Sequence, residues 1–193
     1  PADFKYFVNH LHGLGIRVIL DWVPAHFPRD DFGLAGFDGT PLFECSDSRF
    51  AEYNAWGTYA FNYERPEVRS FLISNAVFWL EEYHADGLRV DAVANMLGCD
   101  YEQRSGGSNS ADLNSAARLF LTELNERVLK RFSDVLMIAE DSSSYPLVTK
   151  PTSEQGLGFT HKWNMGWMSD TLSYMAHDYD ERKWHHNQLS FSL

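Results

Sequence analysis

The chain has 193 residues, 44% of them hydrophobic and 15% aromatic, which suits one domain with a sizeable core and argues against disorder. A formal net charge of -11 sets the surface against phosphate backbones and anionic lipid heads, so nucleic acid and membrane are not expected partners, whereas a neutral ligand such as a sugar is compatible. No run of about 18 apolar residues points to a membrane-spanning helix, and the opening PADFKYF has no basic segment or apolar stretch of a signal peptide. Cys45 and Cys99 have no metal-type spacing and make no disulfide framework, so two free thiols in a reducing cytoplasm are expected.

Taken in chain order, residues 3–14 place Phe4, Phe7, Val8, Leu11 and Leu14 at helical spacing and end at Gly13 and Gly15. RVILDWV, 17–23, is a short β-branched run of the kind that forms a strand buried on both faces. Residues 24–64 are dense in Gly, Pro, Asp and aromatics and predict a long irregular loop subdomain, a length usually reserved for function. Pro66 opens a helix to about Tyr83, with Val68, Phe71, Leu72, Asn75, Phe78 and Trp79 on one side. GLRVDAV, 87–93, predicts a second strand. Asp112 is the expected cap of a helix carrying Leu119, Phe120, Leu124, Val128 and Leu129. VLMIAED, 135–141, predicts a third strand, Phe159–Met165 a weaker fourth, and the stretch from about Gln188 the start of another helix. SGGSNS, 105–110, reads as a loop within the domain.

Strands alternating with helices imply crossover units and a parallel sheet. A doubly wound nucleotide-binding sheet would want a Gly-rich turn after its first strand, and DWVPAHF is not one. The expected architecture is therefore α/β, part of a TIM-type β/α barrel. Since a full barrel takes about 250 residues, residues 1–193 are expected to form an incomplete catalytic domain, with the loop subdomain at about 24–64.

Each clear strand carries a carboxylate at its end: Asp21, Asp91 and Glu140. An unpaired charge in an apolar strand is costly, and the C-terminal ends of barrel strands form the face where active sites sit. Arg89 lies two residues before Asp91, so both point to one side of the strand. A guanidinium there favours a charged carboxylate, the form a nucleophile requires. His26, in the loop above Asp21, can donate to a ligand oxygen. One carboxylate kept charged and another able to hold a proton make a pair suited to cleaving a glycosidic bond.

DWVPAHF, GLRVDAV and MIAED resemble the first, second and third signature regions of the α-amylase superfamily, glycoside hydrolase family 13. Within it, ILDWVPAHFPRD, GLAGFDGTPLFE, WGTYAFNY, NAVFWLEEYHADGLRVDAVANML and GLGFTHKWNMGWMSDTL are similar to the bacterial 1,4-α-glucan branching group, as is Pro24–Ala25 before His26. The resemblance covers nearly the whole chain. It implies that Asp91 is the nucleophile and Glu140 the general acid/base. Arg89 would be the arginine beside the nucleophile, and Asp21 and His26 residues that support the site and bind the sugar. It further implies roughly strands 3 to 6 of the barrel, an α-glucan substrate (amylose or glycogen), no cofactor and no metal. The reaction implied is cleavage of an α-1,4 bond and its re-formation as an α-1,6 branch, with retention, in glycogen biosynthesis.

The sequence departs from the family in places. The histidine–aspartate fourth region is not found before LSFSL; Asp141 follows Glu140 where a second Glu is usual; Cys45 stands where His or Tyr is common; and GCDYEQRSGG lacks the Trp–Pro–Asn character of many relatives. Two other readings stay open: an α-glucan hydrolase of the same superfamily, and a non-catalytic glucan-binding or structural piece; on any reading, residues 1–193 alone are expected to be inactive and poorly stable. Oligomeric state does not follow from the sequence. Of Phe32, Phe37, Phe43, Phe50, Tyr53, Trp56 and Tyr59, most are expected to pack a small subdomain over the barrel. His177, His185 and His186 match no ligand set, and Glu81, Glu82, Glu123 and Glu126 read as helix-surface charges.

Overall fold

The computed structural model describes residues 1–45, 52–53, 56–98, 114–143 and 145–191. The chain runs α1 (Ala2–Gly13), β1 (Ile19–Trp22), β2 (His26–Pro28), β3 (Glu52–Tyr53), β4 (Thr58–Ala60), α2 (Pro66–Glu82) and β5 (Gly87–Val90). It continues through α3 (Val93–Met96), α4 (Ser115–Arg131), β6 (Leu136–Ala139), β7 (His161–Lys162), α5 (Met165–Ala176) and α6 (His186–Phe191), with single 3-10 turns at Thr152–Glu154 and Arg182–Trp184.

Strands β1, β5, β6 and β7 lie side by side in that order, all parallel. Parallel neighbours need a crossover, and α2 and α4 supply the first two. Register is set by matching apolar positions: Leu20 faces Leu88, and Leu88 faces Met137. At the start of β5 the backbones approach so closely that a Cβ on Gly87 would stand 2.5 Å from the carbonyl oxygen of Leu136, which explains the glycine.

One core joins sheet and helices. Leu88, Val90, Met137 and Ala139 are fully buried with Val68, Leu72, Ala76 and Leu80 of α2 and with Phe120, Leu121, Leu124 and Val128 of α4. Tyr63 stacks on Phe120 with ring centroids 5.1 Å apart. Pro66 occupies the first turn of α2, where its missing N–H costs nothing. Asn114 caps α4, its side chain accepting from the N–H of Ala117; the expected cap, Asp112, lies outside the described residues, as do GCDYEQRSGG beyond its first residue, Cys99 and Phe50.

Several expectations need correction. β1 is not buried on both faces: Trp22 is 6% exposed on one face, whereas on the other Ile19 is 43% exposed and Asp21 is exposed too. The core side of α2 is the Val68–Leu72–Ala76–Leu80 row, four residues apart, and Phe71 and Phe78 lie to its side and are about half exposed. The helix expected over 3–14 is α1, in which Val8 alone is buried. In α4, Leu119 faces outward. The stretch 24–64 is more regular than expected: β2, β4 and β3 make an antiparallel sheet in that order. The fourth strand is only His161–Lys162, and from Met165 the chain is helix α5, capped by Asn164 accepting from the N–H of Trp167.

Among the described residues no helix is long and apolar enough to cross a membrane. Cys45 is a free thiol. Phe43 and Tyr59 pack against the core, whereas Phe32 and Phe37 are exposed. His177 and His185 stack on each other at 3.8 Å. On the helix surfaces, Glu82 pairs with Lys5, Glu123 with Arg69, and Glu81 with Arg131.

Candidate active site

The parallel strands all end on one edge of the sheet, and the predicted residues gather there. Asp21 is the third residue of β1 and lies opposite Arg89 of β5 in the register. Asp91 follows β5 directly and Glu140 follows β6 directly. Both sit on the sheet's hydrogen-bond ladder: the N–H of Asp91 donates to the Trp22 carbonyl, and that of Glu140 to the Val90 carbonyl, each at 2.9 Å.

Arg89 is the hub. Its Nη1 donates to Oδ1 of Asp21 at 2.8 Å and to Oδ1 of Asp91 at 2.6 Å, and its Nη2 lies 3.8 Å from Oε2 of Glu140. Burial would lower the guanidinium's pKa, but the bonds to Asp21 and Asp91 outweigh it, so the value rises above the ordinary one and the side chain stays cationic. Asp21 is 67% exposed, against 24% for Asp91 and 21% for Glu140, which places Asp21 at the rim and the other two inside.

His26 enters from β2. Its Nε2 lies 3.6 Å from Oδ2 of Asp91, and its ring packs against Trp56 with centroids 5.0 Å apart. The antiparallel sheet holds it there, with His26 opposite Ala60, and the buried Tyr63 hydroxyl ties down the preceding loop by donating to the Pro24 carbonyl. Glu140 is fixed by the backbone N–H of Ala92, which donates to its Oε2 at 2.7 Å. Ala92 makes that bond at φ 54°, a left-handed conformation that alanine rarely takes and that recurs at functional sites.

All five residues singled out by sequence are thus brought together. Among the described residues no group of three or more His, Cys, Asp or Glu is placed to hold a metal. A model of the family described as "Alpha amylase, catalytic domain" matches residues 44–189.

This chain belongs to the α-amylase catalytic-domain family.

Relatives within the family are close in sequence. The 1,4-alpha-glucan branching enzyme GlgB of Nocardia farcinica is 56% identical over 196 residues, covering all of this chain and 26% of the relative. That of Oceanobacillus iheyensis is 54% identical over 198 residues, covering all of this chain and 31% of the relative. The chain therefore spans between a quarter and a third of the length of these relatives. The crystal structure of an α-amylase from Geobacillus thermoleovorans, complexed with acarbose, matches 74% of this chain and 29% of its own at 22% identity and TM-score 0.52, a likeness of fold alone. The four-stranded parallel sheet and its helices are accordingly part of the α-amylase family's β/α barrel, open among the described residues.

Sequence reading passed over the surroundings of these five residues. Asp141, noted only as a mild departure from a glutamate, has a fully buried side chain. It accepts from Lys162 Nζ at 2.7 Å and from Ser143 Oγ at 2.7 Å. Trp163 lies with its ring 4.7 Å from the Arg89 guanidinium carbon. A shallow cavity of about 370 Å³ opens here, lined in part by Asp141, Ser143, Lys162, Trp163 and Asn164. Lys150 lies nearer to Asp141 in sequence than Lys162 does, so the sequence carried no signal for this pair, and only the β6–β7 pairing brings the two together.

Proposed function

We propose that this chain is the catalytic segment of a 1,4-α-glucan branching enzyme acting on a glycogen-like glucan in the cytoplasm. The observation that carries the reading is the clustering of Asp21, Asp91 and Glu140 on the one guanidinium of Arg89 at the C-terminal edge of a parallel sheet. Full-length similarity of this chain to bacterial enzymes of that name supports the choice of reaction.

In this reading Asp91 attacks the anomeric carbon of a glucosyl unit. The bond from that carbon to O4 breaks, and Glu140 gives its proton to O4, which leaves on the shortened chain. The transferred segment is then an ester of Asp91. A glucan 6-hydroxyl enters, Glu140 takes its proton, O6 attacks the anomeric carbon, and Asp91 leaves as carboxylate. The product is an α-1,6 branch with the original anomeric configuration. Arg89 keeps Asp91 beside a positive charge throughout, and His26, in contact with Asp91, is placed to donate to a sugar hydroxyl.

The test uses the full polypeptide that carries this segment, with amylose as substrate. Branching lowers iodine colour without new reducing ends. A matching rise in reducing ends would instead make the protein an α-glucan hydrolase, and no change in either would leave a glucan-binding role.

A further inference from the structure

Arg89 holds Asp21 and Asp91 through a single nitrogen, Nη1. Its Nη2 reaches only a 3.8 Å contact with Glu140, and its Nε is buried with no hydrogen-bond partner among the described residues. Two bonds made from one corner leave the guanidinium plane free to swing about that corner, whereas a two-nitrogen fork would fix it. An aromatic face supplies the missing restraint: the Trp163 ring centroid lies 4.7 Å from the Arg89 guanidinium carbon, within the range of a cation–π contact. Trp163 is itself anchored to the strand that carries the second carboxylate, because its backbone N–H donates to the carbonyl of Ala139, the residue before Glu140, at 3.0 Å. The indole therefore links the end of β6 to the guanidinium that holds the end of β5.

We infer that Trp163 is a positioning residue for the reaction, acting through Arg89 to hold Asp91 against Glu140. This rests on the branching reading above and adds a residue to it. Trp163 is 46% exposed and is no part of the core, so its replacement tests position more than folding.

The experiment compares Trp163→Leu and Trp163→Phe with the parent in the full polypeptide, measuring kcat and KM on amylose. Trp163→Leu is expected to lower kcat by about tenfold or more with KM within about twofold, and Trp163→Phe, which keeps a ring face, to recover most of it. An unchanged kcat in Trp163→Leu, or a rise in KM with kcat held, would overturn the inference; the second result would make Trp163 a sugar platform. A second measurement needs no turnover: the rate at which phenylglyoxal modifies Arg89, followed by peptide mass. It should rise in Trp163→Leu and stay near the parent's in Trp163→Phe. A parent inactive on amylose would sink the branching reading, and an unchanged labelling rate would separately sink the Trp163–Arg89 contact.

Discussion

The backbone N–H of Ala92 donates to Oε2 of Glu140 at 2.7 Å, and Ala92 makes the bond from a left-handed conformation, φ 54° and ψ 39°. The residue after Asp91 thus orients Glu140, through backbone rather than side chain. A left-handed non-glycine residue costs on the order of 1 kcal/mol or more and persists only when its surroundings impose it.

Ala92 therefore gives a first prediction. Ala92→Gly relieves the strain and loses a buried methyl group, so denaturant unfolding should show a change within about 1 kcal/mol. Ala92→Val puts a β-branched side chain into a forbidden backbone region at a site only 6% exposed. It should cost more than about 2 kcal/mol and lower turnover by releasing Glu140. Equal stability of the two variants would show that the left-handed turn carries no strain.

Asp91→Asn should lower glucan turnover by about a thousandfold or more, as expected when the nucleophile of a coupled site is removed. The amide keeps the shape, so glucan binding measured by gel retardation should persist. Retained turnover would show that Asp91 is not the nucleophile.

Lys162→Met should destabilise the protein by about 3 kcal/mol, because it strands the fully buried Asp141 carboxylate. Adding Asp141→Leu in the same molecule should restore much of that loss, since an apolar pair replaces a stranded charge. A double variant as unstable as Lys162→Met would show that the remaining Ser143 contacts, not the ion pair, dominate. Thermal unfolding of the parent and the two variants decides it.

At the opposite end of the sheet, Asp86 joins helix α1 to Val18, the residue before strand β1. Its Oδ2 accepts from the Val18 N–H at 2.7 Å and lies 2.8 Å from His12 Nε2. Burial pushes this carboxyl's pKa up, but those two bonds, with the charges of His12 and Arg17, bring it below the ordinary value. Because the folded value lies below the unfolded one of about 3.9, the contribution is fully present above about pH 4 and is lost as pH falls through the folded value. Asp86→Asn should therefore be less stable than the parent at pH 6, by about 1–2 kcal/mol, and the gap should close towards pH 3. A gap independent of pH would assign the loss to packing.

How much of this was legible beforehand depended on range. The carboxylates and Arg89 were readable because each follows a short apolar run, and a strand's alternation fixes which neighbours share a side. Pairing partners across the sheet were not. Arg89 and Asp21 are 68 residues apart, and Lys162 and Asp141 meet only because β6 and β7 pair. The two-residue β7 and helix α5 were confused because GFTHKWNM mixes a β-branched residue and aromatics with a helix cap, and Asn164 ends one pattern and begins the other. The apolar spacing of residues 3–14 marked helix α1, but periodicity does not show whether anything lies against the apolar side, and Phe7 and Leu14 are exposed. Ala92 carried no signal, because its role lies in a backbone N–H that every non-proline residue has.

The central claim, that Asp91 takes the sugar and Glu140 moves the proton, is tested most directly by trapping the intermediate. Glu140→Gln in the full polypeptide is incubated with α-maltotriosyl fluoride. Fluoride leaves without a proton, so the first step proceeds while the second, which needs a base, stalls. Peptide mass mapping should then show a maltotriosyl ester on the peptide containing Asp91. Labelling of Asp21 instead, or fluoride release with inversion and no adduct, would contradict the account.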